Sequence, residues 1–129
     1  MAEVCLKIAK DPSLACQYTA ISHFVTIVTD GTAVLGLGDI GPVAGMPVME
    51  GKAMLMETLV GLSGLPILLN SKDVDTLVET VATIAPTFSA IQLEDISAPR
   101  CFDIEERLVD KTRYGAQRPD HPGTFEPET

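Results

Sequence analysis

The residues most suited to chemistry are two adjacent carboxylates, Glu94 and Asp95, and a lysine set among apolar neighbours, Lys52. Adjacent carboxylates repel each other and gain most by sharing a cation, and their oxygens suit Mg²⁺ or Mn²⁺. Neighbours in a strand point to opposite faces, so the chain must curl at this pair for both to reach one ion. Lys52 has Val48, Leu55 and Met56 beside it at helical spacing. Desolvated there, it could lose its proton readily and serve as a general base; the alternative is a lysine whose stem packs while its amine reaches water. Asp30, Asp39 and Asn70 also fall where strands are expected to end, although Asp and Asn serve as ordinary turn residues too. Gly36-Leu-Gly38-Asp-Ile-Gly41 matches the dinucleotide-binding glycine pattern. Pro42 follows directly, and Gly45 and Pro47 delay the next helix, which favours a tight substrate-side loop over a phosphate cradle. His23 and His121 have no companions for a zinc site, and Cys101 falls on an apolar helix face.

The elements that would carry these residues alternate. Helices are expected over 1–10, 12–18, 47–62, 72–85 and 97–109, and strands over 23–29, 32–37, 66–70 and 88–93. Ser71 is the expected cap of the fourth helix, and Asp103 with Arg107 an i,i+4 pair on the fifth. Two apolar stripes on the third helix predict that it is mostly buried. Such alternation predicts an α/β fold, a small and mostly parallel sheet covered by helices. Ligands of such sheets bind beyond the carboxyl ends of the strands, where the polar residues collect. Residues 1–109 form the expected domain, and 110–129 lack periodicity and apolar clusters, as a disordered or loosely attached tail would.

Composition narrows the class of function. The 129 residues are 46% hydrophobic and 5% aromatic, with a formal net charge of −9. So acidic a chain without a basic stripe is a poor partner for nucleic acid or an anionic membrane. Three widely spaced cysteines fit a reducing, cytoplasmic setting rather than a disulfide framework. The sequence has neither a signal-peptide pattern nor an apolar run long enough to span a membrane.

The stretches VTDGTAVLGLGDIGPVAGMPVMEGKAMLMETL and IAPTFSAIQLEDISAPRCFDIEERL strongly resemble the N-terminal substrate domain of bacterial-type malic enzymes, in the family's order and spacing. The resemblance runs from about Val4 to Leu108 and implies oxidation of malate with NAD or NADP, metal-assisted decarboxylation and release of pyruvate. It also implies that Lys52, in MEGK, is the general base and that Glu94 and Asp95, in LEDI, are metal ligands, and it suggests a homodimer. The family's tyrosine-bearing YSPGVA block, its HDDQHGT block with a third metal ligand, and its NAD(P)-binding domain are not found in this sequence. The isolated chain is therefore expected to be inactive. The alternative is a non-catalytic truncated relic or interaction module. The tail after Leu108 differs in character and resembles out-of-frame translation.

Overall fold

A computed structural model describes residues 1–112. The chain begins with helix α1 (Ala2–Lys10) and, after a 3₁₀ turn at Pro12–Leu14, the short helix α2 (Ala15–Tyr18). Asp11 opens that turn, its carboxylate accepting from the Ser13 amide at 3.2 Å, with Pro12 in the first helical position. Strand β1 (Phe24–Thr29) follows; then come α3 (Met46–Val60), β2 (Ser63–Leu68), α4 (Val74–Ile84), β3 (Ala90–Leu93) and α5 (Arg100–Lys111). The three strands form one parallel sheet in the order β2-β1-β3. Two crossovers build it: α3 joins β1 to its neighbour β2, and α4 carries the chain across to β3.

The two sheet faces carry different layers. Thr26 stands opposite Ile91 and Val28 opposite Leu93, so these four share a face. Val28, Ile91 and Leu93 pack there against Leu77, Val78 and Val81 of α4 and Cys101, Ile104 and Leu108 of α5. That aliphatic cluster is the main core, as the 3.6-residue period of both helices requires. The other face carries Ile27 and Gly64 and receives α3. At Gly64 the approach is so close that a Cβ would lie 2.9 Å from the Ala53 Cα.

Five expectations need correction. Residues 32–37 do not form a strand. Gly31, at φ +70°, turns the chain back so tightly that a Cβ there would collide with the Gly41 carbonyl, and a single antiparallel bridge joins Val34 to Gly38. Beta-branched Thr32 and Val34 cannot override four glycines at positive φ within eleven residues, Gly31, Gly36, Gly38 and Gly41. Pro66 lies inside β2 rather than at its start; an edge strand tolerates a missing N–H on its open side. The α4 cap is Asp73, not Ser71, its carboxylate accepting from the Thr76 amide at 3.0 Å. Finally, α3 buries only Met49; Met54, Leu55, Leu59 and Val60 are exposed, because a three-stranded sheet offers α3 one covered side. In addition, Arg107 reaches across to Asp75 on α4 at 2.7 Å rather than along its own helix to Asp103. Helix α5 runs to Lys111, and most of the expected tail, residues 113–129, lies outside the described residues.

Candidate active site

The carboxyl end of β3 meets α3 in one group of polar side chains. Gln92 and Glu94 are two residues apart along β3 and so project to the same side, the α3 side. Lys52, one residue before the Ala53–Gly64 contact, brings its Nζ to 2.9 Å from Glu94 Oε2. The Glu94 side chain is fully buried, while that of Lys52 is 27% exposed. Gln92 Nε2 donates to the other carboxylate oxygen, Oε1. The Glu94 amide donates to Val28 O at 2.8 Å, which extends the β1–β3 ladder by one residue and fixes the backbone beneath the carboxylate. An apolar cleft of about 280 Å³ opens beside the pair, lined by Lys52, Gln92, Leu55, Met56, Leu59 and Val60.

Asp95 follows in the left-handed region, at φ 53°, the one non-glycine residue with positive φ among those described. Asp tolerates this conformation better than most residues, at a cost of order 1–3 kcal/mol. This is the curl that adjacent carboxylates need in order to leave the alternation of a strand. Asp95 is also buried, 7% exposed.

Asp30, at the end of β1, is committed elsewhere. Its buried carboxylate accepts from Arg100 Nη2 at 2.9 Å through Oδ2, and from the Thr32 amide and hydroxyl through Oδ1. Asp39 pairs with Lys72 at 2.5 Å on the surface, and that hydrogen bond holds its carboxyl below the ordinary aspartate range. Asn70 lies apart, at the end of β2, lining a cavity of about 530 Å³ with Gly41, Pro42, Val43 and Ala44. The glycine loop does not open a helix: a 3₁₀ turn, Val43–Gly45, precedes α3. Cys101 is buried in the core and His23 lies on the surface at the 3₁₀ turn Ile21–His23. Sequence reasoning missed Gln92, Thr32 and Arg100. The two-residue spacing of Gln92 from Glu94 was a usable signal; the partnership of Asp30 with Arg100, seventy residues on, left none.

Glu94 and Asp95 are both buried and offer hard oxygen donors of the kind Mg²⁺ and Mn²⁺ take, and Glu94 is tied to the cleft through Lys52. Two carboxylates are part of an octahedral set. Among the described residues, no group of three or more His, Cys, Asp or Glu side chains is placed to hold a metal ion.

A small parallel α/β domain with its ionisable pair at the strand mouths is the class that this fold and site define. The family model for the malic enzyme N-terminal domain matches residues 1–109, and the chain belongs to that family. It is 54% identical to NAD-dependent malic enzyme 1 of Bacillus subtilis over 96% of this chain and 28% of that protein. To the NADP-dependent malic enzyme of Haemophilus influenzae it is 45% identical, over 96% of this chain and 16% of that protein. The crystal structure of the malic enzyme from Pyrococcus horikoshii superposes with a TM-score of 0.81 at 47% identity, covering 84% of this chain and 25% of that one. The chain thus spans 16% to 28% of the length of these relatives. The Bacillus match takes in 124 residues of the 129, so the likeness continues well past Leu108. The family model, by contrast, ends at residue 109, close to the expected boundary.

Proposed function

We propose that this chain is the malate- and metal-binding part of a NAD(P)-dependent malic enzyme, which oxidises malate and decarboxylates it to pyruvate. The observation that carries this reading is the 2.9 Å approach of Lys52 Nζ to the buried Glu94 carboxylate beside an open cleft, in a chain of this family. In this reading Lys52, as the amine, takes the proton of the substrate's C2 hydroxyl, and a nicotinamide, when bound, would supply the hydride acceptor. Glu94 and Asp95 would hold Mg²⁺ or Mn²⁺, which when bound would supply polarisation of the C2 oxygen. Gln92 fixes the Glu94 carboxylate, and Leu55, Met56 and Leu59 line the cleft beside the amine. Relatives are named both NAD- and NADP-dependent, so the reading takes the nicotinamide class as a whole. A homodimer and a cytoplasmic setting belong to the same proposal, supported by the exposed apolar side of α3 and by free thiols at Cys5, Cys16 and Cys101.

The test is a transplant. This chain replaces the matching segment of the Bacillus subtilis enzyme, and malate-dependent NAD reduction is followed by absorbance. Turnover by the chimera, lost by roughly 10²-fold or more in Lys52→Ala and in Glu94→Gln, is the expected outcome. A folded, NAD-binding chimera without turnover overturns the reading, as does full activity in Lys52→Ala.

A further inference from the structure

A ring of hydrogen bonds borders the C-terminal side of the Glu94–Asp95 corner, and neither the acid–base step nor metal ligation uses it. It starts at Asp30, whose side chain is fully buried. Asp30 Oδ1 accepts from the Thr32 amide at 3.1 Å and from the Thr32 hydroxyl at 2.7 Å. The same hydroxyl oxygen accepts from the Ser97 amide at 2.9 Å and from Arg100 Nη1 at 3.4 Å. Thr32 Oγ1 thereby uses its one donor and both acceptor positions. The next residue, Ala33, donates its amide to Asp95 O at 2.9 Å. Arg100 closes the ring, donating to Asp30 Oδ2 at 2.9 Å, to Ser97 Oγ at 3.2 Å and to Lys72 O at 2.6 Å.

The turn after β1 therefore grips the chain just after the corner, at Asp95 O and at Ser97 N, while the Glu94 amide is held by Val28 O of β1 on the other side. Asp95 lies in a backbone conformation that surroundings must hold in place. We propose that Thr32, braced by Asp30 and Arg100, is a positioning residue that holds the Asp95 turn and so sets the two carboxylates for a divalent cation. This rests on the reading of Glu94 and Asp95 as metal ligands. Groups that orient ligands govern metal affinity nearly as strongly as the ligands do. The Thr32 hydroxyl touches neither substrate nor metal in this account; it acts through the Ser97 amide, and the next residue's amide holds Asp95 O.

Mn²⁺ alone is the probe, titrated into the full 129-residue chain and followed by loss of the free-ion paramagnetic resonance signal. Cations held loosely by the net negative surface are removed with salt. Thr32→Val keeps the shape and deletes the hydroxyl; the expected result is Mn²⁺ binding weakened by about tenfold, with Thr32→Ser restoring it. A Thr32→Val protein that melts at a lower temperature yet binds Mn²⁺ with unchanged affinity when folded overturns the proposal, because the hydroxyl then serves the fold alone. Glu94→Gln separates the two readings. If it abolishes Mn²⁺ binding while Thr32→Val does not weaken it, the positioning role falls and the ligand assignment stands. If Glu94→Gln leaves Mn²⁺ binding intact, both fall. Hydrogen exchange on the unmodified chain gives a check free of folding defects: the Ala33 and Ser97 amides are expected to be protected, and rapid exchange at either overturns the proposal.

Discussion

Lys52 and Glu94 are worth more as a pair than their separate contributions suggest. Glu94 is fully buried and Lys52 is only partly so. Removing the lysine leaves a carboxylate out of water without its nearest cation, whereas Glu94→Gln leaves a neutral amide and lets the lysine amine turn toward solvent. Lys52→Ala is therefore expected to destabilise the chain by about 2–4 kcal/mol and Glu94→Gln by less. The double variant Lys52→Met, Glu94→Gln should recover most of the loss. Urea unfolding midpoints at neutral pH check the order; a Glu94→Gln loss larger than that of Lys52→Ala would contradict it.

At the scale of elements, Gly64 sets the depth at which α3 sits on the sheet. A Cβ there meets the Ala53 Cα at 2.9 Å and the Ile27 Cδ1 at 3.3 Å, and the first of these is backbone that cannot swing aside. Gly64→Ala is expected to lift α3, at a cost of about 1–3 kcal/mol, and to draw Lys52 away from Glu94. Cleavage by protease within α3 should rise, and a crystal structure should show the 2.9 Å contact lengthened.

The α4 cap provides a pH test. Hydrogen bonds from Thr76, hydroxyl and amide, hold the Asp73 carboxyl below its ordinary value. A folded-state value below the unfolded one gives stability that is present above about pH 4 and lost as pH falls through the folded value. Asp73→Ser keeps an N-cap acceptor that does not titrate. Its stability relative to the unmodified chain should improve between about pH 5 and pH 2, read from thermal midpoints; parallel curves would show that the cap does not contribute to the acid sensitivity.

For the whole molecule, the chain by itself is expected to show no malate-dependent reduction of NAD or NADP. Hydride transfer needs the nicotinamide within about 3–3.5 Å of C2. The glycine loop that matches a dinucleotide pattern runs into a 3₁₀ turn rather than a helix N-terminus, so it lacks the anion-binding end such a pattern uses. A spectrophotometric assay of the purified chain settles this, and measurable turnover would require a dinucleotide site at that loop. The exposed Met54, Leu55, Leu59 and Val60 of α3 belong to the same scale. Their hydrophobic pattern resembles a buried helix because sequence periodicity records that a face is apolar, not what covers it.

Composition and period were enough to determine the α/β class, the parallel sheet and the helix faces that form its core. Local alternation is a near-neighbour property, and aliphatic positions such as Leu77, Val81, Ile104 and Leu108 have one way to be removed from water. Lys52, Glu94 and Asp95 were legible as chemically apt residues because a lysine among apolar neighbours and adjacent carboxylates are costly unless partnered. Their meeting was not. The distance from Lys52 to Glu94 depends on Gly64 admitting α3 to the sheet, and the Asp95 turn depends on a ring joining Asp30, Thr32, Ser97 and Arg100. Those contacts link residues far apart in the chain, and local propensity carries no information about them. The supposed strand at 32–37 failed for the same reason: Thr32 and Val34 favour extension, but Gly31 packs against Gly41, and the turn's polar groups find partners on α5 and beside Asp95. Tertiary hydrogen bonding outweighed β propensity there, and it did so at the place where the site is assembled.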